Sequence, residues 1–200
     1  MVLAAALLPG AAAAGELCLE AEGGYFELSS AEQAARAVFG SKGGPLFGLA
    51  VSFAARGSGP FARVGARRWS RSGERAFAAD VTSPVFRLGH PLEVRITPVY
   101  ALVGWRLALG SVTPYLGAGA GVTGYREEST VAEITTEESR RKAAYHLAAG
   151  AELFRGPLRL GVELGWSSVP GALGTGGISE RFGQTNAGGL SVVGRVVFVP

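Results

Sequence analysis

The side chains that could carry acid–base catalysis in this 200-residue chain are two histidines and 16 acidic residues. His146 lies in the same apolar segment as Glu152, and Glu163 follows in the next segment. A histidine held by a carboxylate is the general base of many hydrolases. However, no serine accompanies His146 in the pairing of a lipid-modifying barrel enzyme, and His90 precedes Pro91 in a segment typical of a solvated loop. We therefore expect no enzymatic activity, with His146 as a member of a polar network.

Metal and cofactor chemistry has little support in the sequence. Cys18 is the single cysteine, so no disulfide can form within the chain and no paired-cysteine metal motif exists. We expect it to be a small inert filler. The alternative, a lipid-modified cysteine, is disfavoured because Glu16 and Leu17 precede it where such a site has small residues. The glycine-rich stretch PGALGTGG lacks the strand-to-helix context of a phosphate cradle, so we expect no metal and no cofactor.

Composition favours a membrane protein over a soluble domain or a nucleic-acid binder. The net charge of +3 and the pI near 9.3 come from arginines spread along the chain, and no nucleic-acid motif accompanies them. Apolar residues make up 48% of the chain and charged residues 18%, with 31 glycines. The longest window without charge, 107–125, contains five glycines and Pro114, which do not suit a membrane helix.

The N-terminal segment is typical of an export signal. Residues 1–15 are uncharged and apolar and end in an alanine run with an A-x-A pattern before Glu16. We predict a signal-like segment over 1–14 and one domain over 16–200. No basic residue precedes the apolar run, so the true start could lie upstream, or the segment could be a plain apolar terminus. An exported, apolar chain without a membrane helix has one other structure that satisfies its backbone in lipid, the closed β-barrel.

Apolar side chains recur at every second position, which is the period of a β-strand. Between positions 158 and 167, leucine, valine and tryptophan form one face, while Arg159 and Glu163 lie with glycine and serine on the other. A similar division recurs in eight segments, an even number that suits a barrel. The predicted strands are 17–28, 46–55, 61–70, 93–109, 113–125, 143–154, 158–168 and 188–199.

Short and long connections alternate between these segments. Turn-rich connections follow the second, fourth and sixth strands, and long ones occupy 29–45, 71–92, 126–142 and 169–187. Outer-membrane barrels have tight periplasmic turns and long extracellular loops in this alternation. The sequence thus predicts an all-β, eight-stranded antiparallel up-and-down transmembrane β-barrel with both termini in the periplasm.

Charge decides which face of each strand lines the lumen, because an arginine facing lipid at mid-membrane costs about 2–4 kcal/mol. Eight strands leave an interior that side chains can fill, so acids and bases should pair there instead of lining a channel. We expect the inward glycines Gly117, Gly119 and Gly121 to make room for long arginines. The predicted lumenal charge network is Glu20, Glu22, Arg63, Arg67, Arg106, Glu152, Arg159, Glu163 and Arg195.

Aromatic side chains are expected where the barrel crosses the membrane surface. Trp105 and Trp166 fall on outward positions suited to the interface, and Tyr145 is expected at the opposite rim. The third strand is the weakest prediction, since its outward face carries Arg68 and small side chains. Its Trp69 falls on the inward face, for which the sequence offers no explanation.

Two of the long loops carry further signals. A capping box, formed by Ser30 with Gln33 or by Ser29 with Glu32, predicts a short helix in the first loop that ends at Gly40. This helix is either an ordered loop element or a lid over the barrel mouth. The third loop, 126–142, has five acidic and four basic residues without metal-ligand spacing, so we expect a solvated hairpin extension.

Three arginines at the outer end of the third strand are candidate lipid contacts. Arg68, Arg71 and Arg75 could donate charge-assisted hydrogen bonds to lipopolysaccharide phosphates. The alternative is that they lie in a solvated loop.

The order of these segments resembles the small outer-membrane β-barrel family, whose eight-stranded members include OmpA-like and OmpW-like barrels. The resemblance covers about residues 23–198 and rests on GYFELSS before the loop helix, GPLFGLAVSF, PYLGAGAGVTGY, and AAGAELF followed by LRLGVELGW. Such barrels usually end on an aromatic residue, whereas Val199 and Pro200 follow Phe198. The resemblance implies an outer-membrane location but no single activity, since members serve as anchors, adhesins or passages for small apolar solutes.

Three functions are compatible with this sequence. The first is a structural or interaction barrel with a closed, polar-filled lumen, whose loops meet an unknown extracellular partner. The second is passive passage of a small hydrophobic solute across the outer membrane through a lateral opening. The third is a soluble carrier of lipocalin type, which would need the apolar faces inside and the arginines outside.

Overall fold

The computed structural model describes residues 15–80, 82–153, 156–174 and 176–200, so the expected export signal at 1–14 lies outside the described residues. Within these ranges the chain forms a closed barrel of eight antiparallel strands, in which each strand pairs with its neighbours in the chain and β8 pairs with β1. The predicted fold class is confirmed. The strands are β1 Gly15–Glu27, β2 Gly43–Ala55, β3 Gly59–Phe77, β4 Phe86–Arg106, β5 Val112–Val131, β6 Ile134–Leu153, β7 Leu158–Ser168 and β8 Gly189–Phe198.

The wall of the barrel is apolar outside and largely polar inside. In β8, Leu190 and Val192 are 51% and 53% exposed on the outer face, while Ser191 and Arg195 are buried on the inner face. The same alternation runs through β7, where Glu163 is buried between outward apolar neighbours. A soluble carrier of lipocalin type would need the reverse arrangement, so the structure does not support that alternative.

Four strands are much longer than the sequence indicates. β3 to β6 contain 19 to 21 residues each, and they extend through most of the predicted loops 71–92 and 126–142. His90 accordingly lies within β4, not in the loop that the sequence suggested. The extensions of β5 and β6 were missed because they are polar on both faces, which removes the period of two. The connection between β5 and β6 is reduced to Ala132 and Glu133, both with positive φ.

The two ends of the barrel differ. One, the terminal end, carries the start of β1, the end of β8 and the short connections after β2, β4 and β6. The other, the loop end, carries the connections after β1, β3, β5 and β7, which span residues 28–42, 78–85, 132–133 and 169–188. The predicted long loops are present after β1 and β7, whereas extended hairpins replace most of the predicted loops after β3 and β5.

The first loop contains a short 3-10 helix, Ser29–Ala31, followed by helix α1, Glu32–Phe39. Helix α1 ends at Gly40, whose φ of 73° is the left-handed conformation of a C-cap, as the sequence predicts. The predicted capping box is wrong, because α1 begins after Ala31 and no side chain caps it. No helix in the described residues is both long and apolar enough to cross a bilayer.

The loop end is closed by a cluster of buried apolar side chains, which we call the loop-end cap. Helix α1 and the last loop, with its helix α2 (Gly177–Arg181), meet over the barrel mouth, where the Ala34 backbone N–H donates to Gln184 Oε1 at 2.9 Å. The buried members of the loop-end cap are Phe26, Leu28, Ala34, Ala35, Ala37, Val38, Leu46, Trp69, Ala78, Leu92, Val94, Ile96, Tyr125, Ala144, Val169, Ala172, Ile178, Ala187 and Val193.

Candidate functional site

The barrel interior holds a network of five carboxylates and five guanidiniums. All nine residues of the predicted lumenal charge network point inward, and each forms an ion pair with another member of the network. The tenth member is Glu16, which the sequence analysis missed. The charges therefore balance within a space that side chains fill. The members are Glu16, Glu20, Glu22, Glu152 and Glu163 with Arg63, Arg67, Arg106, Arg159 and Arg195.

Glu163 lies at the centre of this network and is fully buried. It accepts hydrogen bonds from Arg63 at 2.5 Å, from Arg67 at 2.6 Å and from the Tyr115 hydroxyl at 2.8 Å. Buried charges are tolerated when their remaining lone pairs are bonded in this way. The carboxylate therefore links strands β3, β5 and β7 across the lumen.

Glu20 forms the second junction. It contacts Arg195 at 2.5 Å and Arg63 at 3.2 Å, and the Ser52 hydroxyl donates to it. Arg195 in turn donates to the Tyr115 hydroxyl at 2.6 Å, so the two junctions share partners. These contacts tie β8 to β1, β3 and β5, which are far apart in the chain.

Glu16 forms a third junction at the terminal end. It accepts hydrogen bonds from Arg106 at 2.5 Å and from Arg159 at 2.6 and 2.8 Å. The sequence could have revealed Glu16, because Glu16, Glu20 and Glu22 occupy even-numbered positions of one strand and alternate with apolar residues. Its position at the edge of the expected export signal concealed it.

Inward tyrosines complete the network and were not predicted. The Tyr100 hydroxyl donates to Glu22 at 3.2 Å, and the ring of Tyr100 lies 5.0 Å from the Arg67 guanidinium carbon. A Cβ on Gly65 would lie 2.7 Å from the Tyr100 hydroxyl, so the glycine makes room for the ring. Gly117 similarly faces Phe61, 3.0 Å from where its Cβ would be. A Cβ on Gly119 or Gly121 would instead meet the backbone of β4. None of the three glycines expected to make room for arginines faces an arginine, which corrects the expectation from sequence.

His146 is not placed for acid–base chemistry with the acids considered from sequence. Its ring lies 5.4 Å from the ring of Tyr100, and its Nε2 is buried without a hydrogen-bond partner among the described residues. Neither Glu152 nor Glu163 contacts it in the described part of the chain; both are held by arginines. The described residues also contain no group of three or more potential metal ligands.

Trp69, unexplained by the sequence, belongs to the loop-end cap. Its ring is 1% exposed and packs edge-on against Phe26 and Phe39, with ring centroids 6.0 and 5.8 Å apart. Phe39 is the last residue of α1. The tryptophan is therefore inward because it anchors the loop helix to the barrel wall.

The candidate interface aromatics lie on the outer wall. Trp105, Trp166 and Tyr145 are 56%, 42% and 56% exposed. Trp105 lies at the terminal end, next to the end of β4, whereas Trp166 and Tyr145 lie near the loop end. Tyr145 therefore shares a rim with Trp166, and Trp105 occupies the opposite one.

Of the three candidate lipopolysaccharide contacts, the structure places Arg68 alone on the outer wall. Arg71 turns inward and donates to Ser41 at 3.1 Å, and Arg75 lines a cavity at the loop end. The three do not form one site, because strand alternation sends Arg68 and Arg71 to opposite faces.

Three other arginines accompany Arg68 on the outer wall. We call Arg68, Arg95, Arg126 and Arg141 the exterior arginine rows. The last apolar row across β3–β6 is Ala66, Val99, Val122 and Ala143. The next row towards the loop end is Arg68, Thr97, Gly124 and Arg141, followed by Ser70, Arg95, Arg126 and Ser139. An acidic row, Glu93, Glu128 and Glu137, comes after them.

Cations in the exterior arginine rows are only partly neutralised. Arg95 contacts Glu93 at 2.6 Å and Arg126 contacts Glu137 at 2.7 Å. Arg95 and Arg126 nevertheless sit directly opposite each other, a like-charge pairing that destabilises a sheet unless an anion is shared. Arg68 and Arg141 lie one row closer to the apolar wall, and neither forms an ion pair with another residue that the structure describes.

The loop helix is fixed by charged contacts at its start. Lys42 contacts Glu27 at 3.0 Å and Glu32 at 3.6 Å, and the hydrogen bond with Glu27 raises the pKa of Lys42. The hydrogen bond from Arg36 holds the pKa of Glu32 below its usual value. Both groups are therefore charged at neutral pH, and they join α1 to the first hairpin.

Three solved structures are similar to this chain over more than nine-tenths of its length. The major outer membrane protein from Thermus thermophilus superimposes with a TM-score of 0.61 at 14% identity, over 92% of this chain and 100% of that one. Neisserial surface protein A (NspA) gives 0.47 at 12% identity, over 92% and 96%, and the N-terminal barrel domain of Pseudomonas aeruginosa OprF gives 0.46 at 11%, over 93% and 99%. No protein-family model and no curated protein sequence matches. The chain has the fold of the small eight-stranded outer-membrane β-barrels.

Proposed function

We propose that the protein is an integral barrel of the bacterial outer membrane with a structural and interaction role and a closed lumen. The proposal rests on the polarity of the wall: five acids and five arginines pair inside the barrel, most of them buried, and apolar side chains are exposed outside. In water this outer surface would be a very large apolar patch, which soluble monomers rarely expose. In lipid it is the favourable surface, and the closed ring satisfies the backbone hydrogen bonds.

Orientation follows from the two ends of the barrel. The terminal end has short turns and the loop end has two long loops and two extended hairpins. Outer-membrane barrels place short turns in the periplasm and long loops outside the cell. We therefore assign both termini to the periplasm and the loop-end cap to the extracellular side.

Tryptophan quenching tests the proposed membrane orientation. In vesicles containing brominated lipid, a variant that retains only Trp105 or only Trp166 should be strongly quenched, because both rings lie on the outer wall. A variant that retains only Trp69, made by replacing the other two with phenylalanine, should be little quenched, because this ring is 1% exposed inside the barrel. Equal quenching of all three, or none of Trp105 and Trp166, would contradict the proposal.

The filled lumen argues against passage of a solute along the barrel axis. The charge network occupies the middle of the barrel, and the loop-end cap closes it on one side. Vesicles containing the protein should therefore swell no faster in sugars or in small apolar solutes than empty vesicles. Faster swelling in the small apolar solutes alone would instead support the alternative, passive passage of a small hydrophobic solute.

We also propose that the exterior arginine rows bind phosphates of outer-leaflet headgroups, including those of lipopolysaccharide. Arg68 and Arg141 lie directly beyond the last apolar row, where a headgroup begins. Arginine binds phosphate through charge-assisted, often bidentate, hydrogen bonds. A phosphate between Arg95 and Arg126 would also relieve their mutual repulsion.

Removing the two membrane-proximal arginines should weaken lipopolysaccharide binding. We expect the double variant Arg68→Ala/Arg141→Ala to bind purified lipopolysaccharide at least about tenfold more weakly, since each charged hydrogen bond contributes roughly 1.5–3 kcal/mol. Binding is measured by titration into the detergent-solubilised barrel. The control Arg181→Ala removes an arginine from α2, remote from the apolar wall. Equal affinity of the double variant and the wild type would refute this assignment.

The extracellular partner expected from sequence is a proposal as well. The tips of the extended hairpins present exposed apolar side chains, Phe77, Phe86 and Ile134, at 48%, 59% and 70% exposure. They lie beyond the polar rows that end the apolar wall. These tips are the part of the molecule best suited to contact another surface.

A further inference from the structure

A cavity of about 380 Å³ opens at the loop end, between α1, the last loop and the extended hairpins. We propose that it binds a single-chain anionic amphiphile, with the alkyl chain inside the cavity and the anionic group at Arg75. This inference goes beyond the proposed structural role and stands on separate residues. A cavity of this size is at the small end of ordinary ligand pockets, which range over about 300–1,000 Å³.

Helix α1, the last loop and β4 each contribute apolar side chains to the walls of the cavity. Helix α1 contributes Ala35 and Val38, the last loop contributes Leu173 and Ile178, and Leu92 lies on β4. The small alanines of α1 leave the space open, because longer side chains at these positions would fill it. An alkyl chain gains free energy for each methylene that it buries against such walls.

Four charged residues also line the cavity, and they are unevenly distributed around it. On the β5–β6 side, Glu138 pairs with Arg140 at 2.6 Å, and Glu127 accepts a hydrogen bond from Tyr125 at 2.8 Å. Arg75 lies on the β3 side, exposed and without an ion-pair partner among the residues that the structure describes. The arginine can therefore receive an anion, while the carboxylates across the rim disfavour a second one.

No member of the lumenal charge network lines the cavity, so it is a binding pocket and not an entrance to the lumen. Phe39 lines it, and Trp69 packs beneath Phe39 at 5.8 Å between ring centroids. Deeper still lies the lumenal charge network, which offers an alkyl chain no apolar path. A ligand would thus enter and leave from the extracellular side.

The position of Trp69 provides a local reporter. In the variant Trp105→Phe/Trp166→Phe, held in an amphipathic polymer free of lipid, Trp69 is the remaining tryptophan, since the chain has three. A decanoate with bromine at its chain end should quench it saturably. The equivalent bromodecanol should bind about tenfold more weakly, because it lacks the charge-assisted contact with Arg75.

Two substitutions in this background test the wall and the rim separately. Arg75→Ala, which alters an exposed side chain, should weaken decanoate binding about tenfold and leave bromodecanol unchanged. Ala76→Phe should fill the cavity and abolish quenching by both probes, while the control Ala79→Phe, on the neighbouring exposed position outside the cavity, should not. Retained folding of each variant is checked by its gel mobility before and after boiling.

The alternative results overturn the proposal. Unsaturable quenching, or quenching that survives Ala76→Phe in a folded barrel, means that the amphiphile only partitions into the polymer belt. Equal binding of acid and alcohol, or no effect of Arg75→Ala, means that the cavity does not select an anion. Neither result bears on the membrane orientation, which the brominated-lipid experiment tests separately.

Discussion

Replacing Glu163 with alanine is expected to lower the free energy of unfolding by about 3–5 kcal/mol, the usual cost of removing one partner from a buried ion pair. The side chain is fully buried and accepts hydrogen bonds from Arg63, Arg67 and Tyr115. Its loss leaves two guanidiniums in the lumen with fewer partners. Urea unfolding of the barrel in lipid vesicles, followed by tryptophan fluorescence, measures the change.

A matched carboxylate on the hairpin provides the control for this prediction. Glu137 also pairs with an arginine, Arg126 at 2.7 Å, but its side chain is 48% exposed. Glu137→Ala should therefore change stability by no more than about 1 kcal/mol. In a double-mutant cycle, Glu163→Ala and Arg63→Ala should together cost less than the sum of the single changes, because they share one interaction. Additive single effects, or a cost for Glu163→Ala as small as that for Glu137→Ala, would show that the lumenal charges are not coupled.

Val162, the residue before Glu163, should tolerate an apolar side chain but not a charged one. Val162 lies next to Glu163 on β7, but it faces outward and is 56% exposed. Because it lies midway along the outward face of this strand, we expect Val162→Arg to cost about 2–4 kcal/mol in a lipid bilayer. The physical reason is the transfer of a guanidinium into hydrocarbon, where no carboxylate or water is available.

Depth distinguishes this effect from general disturbance of the wall. Thr97 is also exposed and outward, but it lies in the first polar row beyond the apolar wall, beside Arg68. Thr97→Arg should cost only about 0–1 kcal/mol, since charged groups near the membrane surface are solvated. Unfolding by urea in the same vesicles gives both values. If arginine were tolerated equally at the two positions, the outer wall of β7 would not face lipid.

The strands and most of the lumenal network could be predicted from the sequence. Side chains alternate between the two faces of a strand, so the position of a residue in the strand tells whether its side chain points inward or outward. Arg159 and Glu163 share a face with glycine and serine, and the other face of that strand is hydrocarbon. A charged side chain must then point inward for energetic reasons. The same reasoning included Arg195 and would have included Glu16, had its parity been weighed above its place beside the expected export signal.

The hairpin extensions and the inward aromatics could not be predicted in this way. The upper parts of β5 and β6 are polar on both faces, and their turn uses Ala132 and Glu133, which lack the glycine or asparagine typical of such turns. A tyrosine such as Tyr100 is compatible with either face of a membrane barrel. Its inward position depends on Gly65 across the strand pair, a contact that requires the register.

By itself, the sequence determined the number of strands, their inward and outward faces, and the sign of the charges that must neutralise each other inside. These properties follow from local alternation and from the cost of exposing a charge to lipid. The tertiary structure alone decided which acid meets which arginine, that Trp69 anchors α1, and that Arg68 joins Arg141 on one outer surface. Those contacts depend on the register and closure of the barrel, which bring together residues that are 100 positions apart, as with Arg63 and Glu163.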